Sequence, residues 1–262
     1  QKDVIGISFL DISTGEFLTA QGNRQYIDKL LQSFSPSEVL FCKNKKETFL
    51  EYFGDRYNIY TLEDWVFTYD FTYDLLIRHF KTTSLKGFGI EELTEGVTSA
   101  GAILHYLNET EHREVGHITR VNRIEEERYV WLDRFTIRNL ELIHAQQIEG
   151  VPLIDVLDHT KTPMGARMLK KWLILPLKDI TPIQERLGTV ELLVKDADFA
   201  ATLNDELKPI GDLERLISKV AARRVNPREM VQLKRALERL NPIKEALKKQ
   251  GQHVLLKLEE QI

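Results

Sequence analysis

The hydrophobic pattern of this chain changes close to residue 90, and that change limits the folds open to it. Before it, apolar residues alternate along short segments, as at Ile5, Ile7 and Phe9, which is typical of a half-buried strand. After it, apolar residues recur every three or four positions, as on a helix with one buried face. We therefore predict an N-terminal domain that contains a sheet, followed by a domain built from helices.

The N-terminal part alternates between strand and helix patterns. A hairpin is predicted to turn at Ser13, Thr14 and Gly15. Further strand patterns occupy residues 37–43 and 57–62, and helix patterns occupy residues 23–34, 45–53 and 73–80. A hairpin followed by alternating helices and strands predicts an α/β domain with a mixed sheet.

A strongly apolar helix pattern lies where the two parts meet. It covers residues 93–107, and its centre, Ser99 to Ala102, consists of small residues that permit close helix packing. We expect this segment to bridge the two halves. The sequence leaves open whether residues 91–110 form one helix or two. The polar stretch that follows is predicted to be a loop, with a short strand at 128–132.

The second part contains a recurring pair, a capping residue followed by proline. Proline suits the first position of a helix, where no N–H is needed, and the preceding side chain accepts a bond from a free N–H. Four such pairs predict helix starts: Thr162-Pro163, Thr181-Pro182, Asn226-Pro227 and Asn241-Pro242. Asp133 is predicted to cap a further helix over residues 134–146.

The stretch from Thr160 to Leu177 is the most distinctive of these helices. We predict that Pro163 starts the helix and that Pro176 ends it. Gly165 is expected to lie where a neighbour packs too closely for a side chain. Helical spacing predicts a core face made of Met164, Met168, Leu169, Trp172, Leu173 and Leu175, and a solvated face with Arg167, Lys170 and Lys171.

Composition restricts the compartment and the partners. Cys42 is the only cysteine, which excludes a disulfide framework and a Cys-rich metal site and fits a reducing cytosol. No apolar run is long enough to cross a membrane, so we expect a cytoplasmic protein with no membrane contact. The chain starts in a strand pattern without methionine and ends in a helix pattern, so we expect a piece of a longer protein.

Charge is uneven along the chain, although the net charge is only −4. Residues 211–262 hold 12 Lys+Arg and 7 Asp+Glu, which is a local balance of +5. This basic tail either lies near DNA phosphates or forms solvated helix faces, and we favour the second interpretation.

The sequence contains no motif for a catalytic or cofactor site. A G-x-x-x-x-G-K-[ST] phosphate loop, a G-x-S-x-G elbow and an H-E-x-x-H zinc motif are all missing from it. His105, His112 and His117 have no cysteine partners, and Cys42 is expected to be an unreactive core thiol. We therefore predict no catalytic residue, no cofactor site and no metal site in this chain.

Asp11 is the one carboxylate that raises an alternative. Ribonuclease-H-like nucleases hold catalytic Mg²⁺ with an aspartate on the first strand, and Glu16, Glu38 and Asp74 are candidate further ligands. The competing interpretation is that Asp11 shapes the hairpin turn by accepting backbone N–H bonds. We favour the turn and keep a Mg²⁺-dependent nuclease as the alternative.

Several segments together carry a family resemblance. They are "GISFLDISTGEF", "GFGIEELTEGVTSAGAILHYLNET", "LDRFTIRNLELI", "DVLDHTKTPMGARMLKKWLILPL" and "GDLERLISKVAARRVNPREMVQLKRAL". In this order they resemble the MutS family of DNA mismatch-recognition ATPases over essentially the whole chain. The resemblance implies that residues 1–112 form the connector domain, with a ribonuclease-H-like α/β fold. It implies that residues 113–262 form the first, mainly helical part of the core domain, leading into the lever helices.

The resemblance also implies what such a chain does. The whole protein is expected to bind mismatched double-stranded DNA as a homodimer and to use ATP and Mg²⁺, and its connector domain is expected to bind a MutL-like partner. This stretch lacks the family's Phe-x-Glu mismatch reader, clamp and P-loop ATPase, and the family's connector has no nuclease activity. We therefore expect a structural and allosteric connector that is not itself an enzyme.

Overall fold

The chain forms two compact units, residues 1–125 and 126–262. The computed structural model describes residues 4–110, 115–125 and 128–262. The predicted boundary between residues 112 and 113 falls in the segment 111–114, outside the described residues. Strands with covering helices make up the first unit, and helices dominate the second, so the two-part prediction is confirmed at this level.

Among the described residues, the first unit contains a small mixed sheet and a separate pair of parallel strands. Its strands are β1 (Ile5–Asp11), β2 (Glu16–Gly22), β3 (Val39–Cys42), β4 (Ile59–Leu62) and β5 (Asn122–Arg123), and its helices are α1 (Arg24–Phe34), α2 (Lys46–Phe53), α3 (Tyr69–Phe80) and α4 (Thr94–Glu109). β1 and β2 form the predicted antiparallel hairpin, and β5 runs parallel to β2. In the described part of the chain, β3 and β4 form a separate parallel pair. The ribonuclease-H-like topology remains a prediction.

α4 is a single helix, which answers the question left open by the sequence. Its small residues permit the predicted close contacts: a Cβ added to Gly101 would lie 2.3 Å from the Cβ of Thr72 on α3. A Cβ on Gly6 of β1 would lie 1.9 Å from the carbonyl oxygen of Glu95 at the start of α4. The expectation that this helix bridges the two halves is wrong, because Val97, Ala100, Leu104 and Leu107 of α4 are buried in the core of the first unit.

A group of buried and half-buried hydroxyls joins α4 to the hairpin. Ser8 Oγ donates to Thr19 Oγ1 at 2.8 Å and lies 2.7 Å from Ser99 Oγ. Thr19 Oγ1 also lies 2.9 Å from the carbonyl oxygen of Gly96, to which it donates. Because Thr19 is fully buried, its hydroxyl cannot bind water, and these hydrogen bonds take the place of the hydrogen bonds that it makes to water in the unfolded chain.

The segment 115–125, predicted to be a polar loop, is instead anchored to the sheet. Val115, Ile118, Val121 and Ile124 are buried, and the segment includes β5. Ile124 N donates to the carbonyl of Thr19 at 2.8 Å. The sequence pattern could not show this because a spacing of three with polar residues between fits neither a strand nor a long helix.

The second unit consists of short helices with short connections. They are α5 (Arg134–Asn139), α6 (Leu153–Leu157), α7 (Pro163–Ile174), α8 (Ile180–Lys195), α9 (Ala197–Leu207), α10 (Leu213–Ala221), α11 (Pro227–Glu238), α12 (Leu240–Gln250) and α13 (His253–Gln261). Its buried centre includes Phe199, Ile210, Ala236, Ile243, Leu247 and Leu255. Among the described residues, no helix is both long and apolar enough to span a bilayer.

Two of the four predicted proline starts are confirmed. Thr162 Oγ1 accepts from Gly165 N, and Asn226 forms a capping box with Glu229. Thr181 and Asn241 do not cap, because α8 begins at Ile180 and α12 at Leu240. Proline is tolerated anywhere in the first turn, where N–H groups have no helical partner, so the pair locates a helix start only to within a turn.

The region before α7 departs from the sequence pattern in two ways. Asp133 caps α5 as predicted, with Thr136 N donating to its carboxylate at 2.7 Å, but the helix ends at Asn139. Glu141 then adopts a left-handed conformation at φ 47°, which stops the helix. The predicted strand at 128–132 is reduced to a single bridge between Tyr129 and Leu177.

The close contact at Gly101 predicts a strong response to a single methyl group. Gly101→Ala should lower the free energy of unfolding by about 1–3 kcal/mol, because overpacking forces α3 and α4 apart. Gly188→Ala is the matched control, since a Cβ at this helical glycine meets nothing within 4 Å and should stabilise by about 0.5–1 kcal/mol. Urea unfolding measures both, and equal effects from the two changes would contradict the packing described.

The capping difference gives a second prediction. Asn226→Ala should cost about 1 kcal/mol, because the N–H of Glu229 loses its acceptor. Asn241→Ala should leave the stability nearly unchanged, since α12 begins without a side-chain cap. Thermal unfolding of the two variants distinguishes them, and a loss at Asn241 as large as that at Asn226 would restore the original four-cap interpretation.

Candidate functional site

Asp11 is occupied by the hairpin turn. Its Oδ1 accepts from Ser13 N at 2.8 Å and from Ser13 Oγ at 2.7 Å. Its carbonyl accepts from the N–H of Gly15, which has a positive φ of 76°. Burial alone would raise the pKa of Asp11, but the hydrogen bonds from Ser13 and Thr14 outweigh it and hold the pKa below its usual value. The turn interpretation is therefore confirmed.

The other carboxylates do not form a metal site with Asp11. Glu16 lies opposite it in the hairpin register, whereas Glu38 accepts from the hydroxyl of Tyr106 at 2.9 Å. Asp74 lies on α3 and is exposed. Among the described residues, no three His, Cys, Asp or Glu side chains are grouped so that they could hold a metal ion. The nuclease alternative is not supported.

The contacts of His105, His117 and Cys42 also indicate structural roles and not catalytic ones. His117 Nε2 lies 2.7 Å from the carbonyl oxygen of Ile12, and His105 packs against aromatic rings on another part of the unit. His112 lies outside the described residues. The pKa of Cys42 is raised to about 11, because burial and the neighbouring Asp64 carboxylate both disfavour the thiolate. A thiol with so little thiolate is a poor nucleophile, as predicted, but Cys42 is half-buried and not a core residue.

A partly exposed group of rings, which the sequence pattern did not predict, lies on the first unit. We call it the aromatic surface: Tyr60, Trp65, Phe71, His105 and Tyr106. Trp65 is 53% exposed, and its ring centroid lies 5.0 Å from that of Phe71 and 5.1 Å from that of His105. Tyr60 packs on Tyr106 at 5.0 Å. These residues come from β4, α3, α4 and a 3-10 turn, so only the tertiary structure brings them together.

Arg167 organises the second unit. Its guanidinium donates to both carboxylate oxygens of Asp212, at 2.8 and 2.7 Å, and to Glu214 at 2.5 Å. Asp212 also caps α10, so this ion pair ties the middle of α7 to the start of α10. The bonds to Asp212 outweigh the effect of burial and raise the pKa of Arg167. The prediction of a solvated face is therefore wrong at Arg167, because this side chain pairs with Asp212 and Glu214. The sequence pattern could not show these partners, since they lie 45 and 47 residues further along the chain.

The predicted core face of α7 is also only partly buried. Leu175 is buried, whereas Met168 and Trp172 are 55% and 42% exposed. A Cβ on Gly165 would lie 3.3 Å from the Cβ of Thr160, which is a tight contact but one that a shift of a few tenths of an ångström relieves. The first turn is therefore crowded, but it does not exclude a side chain as the contact at Gly101 does. The buried residue within α7 is Ile174, which the prediction left out. The predicted core face is therefore wrong at Met168 and Trp172, because helical spacing does not determine which side of a helix is covered.

Many cations of the basic tail are paired with carboxylates. Lys219 contacts Glu229 at 2.5 Å, and Arg239 contacts Glu206 at 3.4 Å. Further pairs join Arg215 to Asp212, Lys234 to Glu238, Lys244 to Glu259 and Lys257 to Glu185. This pairing favours solvated helix faces over a DNA-binding stripe.

Large exposed apolar side chains are distributed unevenly between the units. Among the described residues, those of the first unit are Val4, Ile12, Tyr60 and Trp65, and all the others lie between Val130 and Ile262. The first unit therefore covers its own core, whereas the second leaves much apolar surface open. An open apolar surface of this extent is typical of a region that packs against something else.

Comparisons with known proteins agree with this organisation. Residues 1–119 match the family model for MutS domain II, and residues 135–262 match that for MutS domain III. A DNA mismatch repair protein MutS from Cytophaga hutchinsonii is 84% identical over 262 residues, which is 100% of this chain and 31% of that protein. The MutS of Parabacteroides distasonis is 52% identical over 261 residues, covering 100% of this chain and 30% of its own length.

A third relative gives the same result. The DNA mismatch repair protein MutS of Flavobacterium psychrophilum is 53% identical over 254 residues, which is 97% of this chain and 29% of that protein. The chain thus spans less than a third of the length of these relatives. The two domain matches are consecutive and together cover nearly all of the sequence. The chain belongs to the MutS family, within which it corresponds to domains II and III.

Proposed function

We propose that this chain is the connector and partial core region of an ATP-dependent protein that recognises mismatched double-stranded DNA. Mismatch reading, ATP and Mg²⁺ binding, and homodimer formation are assigned to parts of the protein beyond residues 1–262. The domain matches support this assignment, as does the absence of a phosphate-loop motif from this sequence. A cytoplasmic location accords with the single cysteine.

Within that protein, the role of this region is mechanical. Coupling between distant sites needs elements that move as bodies, and each unit has its own stabilising contacts. The first is held by the close packing of α4, and the second by Arg167 with Asp212 and Glu214. The carboxylates that suggested catalysis serve a turn and a tyrosine hydrogen bond instead. We therefore assign this region no catalytic step.

The aromatic surface is the best candidate for binding the MutL-like partner. The observation that carries this proposal is the exposure of Trp65 within a group of rings that a self-sufficient unit would otherwise bury. Tryptophan and tyrosine dominate the binding energy of protein interfaces. Asp70 and Asp74 lie on either side of Phe71 along α3 and are exposed, so the partner surface is expected to carry cations.

One experiment tests the function and the surface together. In the full-length protein, Trp65→Ala should weaken MutL-like partner binding by about tenfold or more. The same variant should still prefer a G·T mismatch to matched duplex and should still hydrolyse ATP. Surface plasmon resonance measures both affinities. Trp65→Phe should retain most partner binding, because it keeps a ring at this position.

Ile12→Ala is the control, since it removes an exposed apolar side chain from the hairpin of the same unit. Loss of partner affinity in the control as large as in Trp65→Ala would contradict the proposed surface. A full-length protein with no preference for the mismatch would contradict the proposed function itself. The two failures are thus distinguishable.

A further inference from the structure

Strand β4 of the first unit has one side that is bonded to its neighbour and one that is not. It pairs with β3 in parallel, and Val39 N donates to the carbonyl oxygen of Asn58 at 2.8 Å. Successive residues of a strand direct their backbone groups to opposite sides, so Tyr60 also faces β3. Ile59 and Thr61 therefore direct their N–H and C=O groups to the outer side of β4.

Within the described residues, this outer side has no hydrogen-bonding partner. β3 and β4 form a two-stranded sheet, and no other described group bonds to the backbone of Ile59 or Thr61. An unpaired strand edge is a template on which another chain can add a strand. β4 contains neither proline nor a charged residue, so it lacks the side chains that usually prevent such pairing.

The outer side of β4 is continuous with the aromatic surface. Tyr60 of β4 packs on Tyr106, and β4 leads directly into the turn that carries Trp65. On the other face of this sheet, Phe41 of β3 stacks on Phe49 of α2, with ring centroids 4.5 Å apart. Side chains alternate between the two faces of a sheet, so a strand added to β4 would place every second side chain on the face of Tyr60.

The stretch that carries β4 and the first turns of α3 is acidic. Residues 57–77 contain no Lys, Arg or His, and their charged residues are Glu63, Asp64, Asp70 and Asp74. Lys43 pairs with Glu63 at 3.2 Å. No described cation pairs with Asp70 or Asp74, and Arg78 donates only to the backbone carbonyl of Asp74. A partner of complementary charge would therefore bring Lys or Arg to this surface.

We propose that the MutL-like partner contributes an extended, cationic segment that adds to the outer side of β4 as a strand. Its backbone bonds to Ile59 and Thr61, and its side chains on the face of Tyr60 contact the aromatic surface. Its Lys or Arg side chains pair with Asp70 and Asp74. In strand addition, main-chain bonds give affinity and alternate side chains give specificity. The inference rests on the function proposed above and specifies how the partner is recognised.

Other occupants fit this edge less well. A helix bonds its own backbone groups internally, so it would leave Ile59 and Thr61 without partners. Nucleic acid is disfavoured, because its phosphates would meet carboxylates and not cations. A second copy of β4 would bring Asp70 and Asp74 towards the same carboxylates across a two-fold axis.

Hydrogen–deuterium exchange resolved to single residues in the full-length protein tests this proposal. Without the partner, the N–H groups of Ile59 and Thr61 should exchange rapidly, because no acceptor protects them. Saturating MutL-like partner should slow both by about tenfold or more. The N–H groups of Tyr60 and Leu62 should change less, since the register already directs them to β3. Slowing at every second residue is the signature of an added strand.

A matched pair of substitutions supplies a second readout. Thr61→Pro removes one outward N–H without removing a bond to β3, and proline is tolerated at such edge positions. It should weaken partner binding by about fivefold or more, which corresponds to one lost hydrogen bond. Thr61→Val keeps the N–H and should leave the affinity nearly unchanged. Surface plasmon resonance measures both variants.

Charge reversal gives an independent test if Thr61→Pro does not fold. Asp74→Lys should weaken partner binding by about threefold or more, because it repels the cationic segment. Glu47→Lys is the control, since Glu47 is an exposed acid on α2, which packs on the opposite face of the β3–β4 sheet. Equal effects from the two reversals would contradict the proposed charge match.

Three exchange results would overturn the proposal. Slow exchange of Ile59 and Thr61 before the partner is added would show that the protein itself covers the edge. Equal slowing at residues 59–62, or no slowing while the partner is bound, would exclude an added strand. If Trp65→Ala still weakens binding in that last case, the aromatic surface stands without the strand. A full-length protein that does not bind the partner would overturn the proposed partner as well.

Discussion

Helix α4 occupies the centre of the first unit only because glycines leave room for it. Gly101 allows α4 to meet Thr72 of α3, and Gly6 allows the sheet to meet the start of α4. These contacts leave no space for a methyl group, so the remaining elements of the unit are arranged around them. The hydroxyls of Ser8, Thr19 and Ser99, of which Thr19 is fully buried, add directional bonds at the same junction. The aromatic surface depends on this packing, because α4 supplies two of its members.

The second unit depends on a different kind of contact. Its helices are short and many of their apolar residues are exposed, so hydrophobic burial alone fixes less of its geometry. Arg167 compensates in part by joining α7 to α10 through a two-pronged pair with Asp212, which is itself a helix cap. Partly shielded charge-assisted pairs of this geometry constrain direction as well as distance. The proposed function needs both units to move as bodies.

Local chemistry was predictable from the sequence, and long-range contacts were not. The caps at Asp133, Thr162 and Asn226 and the turn at Asp11 each involve residues within a few positions, so local spacing predicted them. The same spacing failed at Thr181 and Asn241, where the helix begins before the proline pair. The placement of β5, the partners of Arg167 and the rings around Trp65 depend on residues far apart in sequence. The order of the motifs predicted the family, and the domain matches confirm it. Motifs are stretches of sequence, so they can be recognised without knowing which distant residues are in contact.

The central claim is that the chain comprises two bodies held by separate constraints, one at Gly101 and one at Arg167. Hydrogen–deuterium exchange of the Gly101→Ala and Arg167→Met variants tests it most directly. We predict faster exchange throughout α3, α4, β1 and β2 in the first variant, with α7 and α10 unchanged, and the reverse in the second. Faster exchange in both units from either single substitution would contradict the claim.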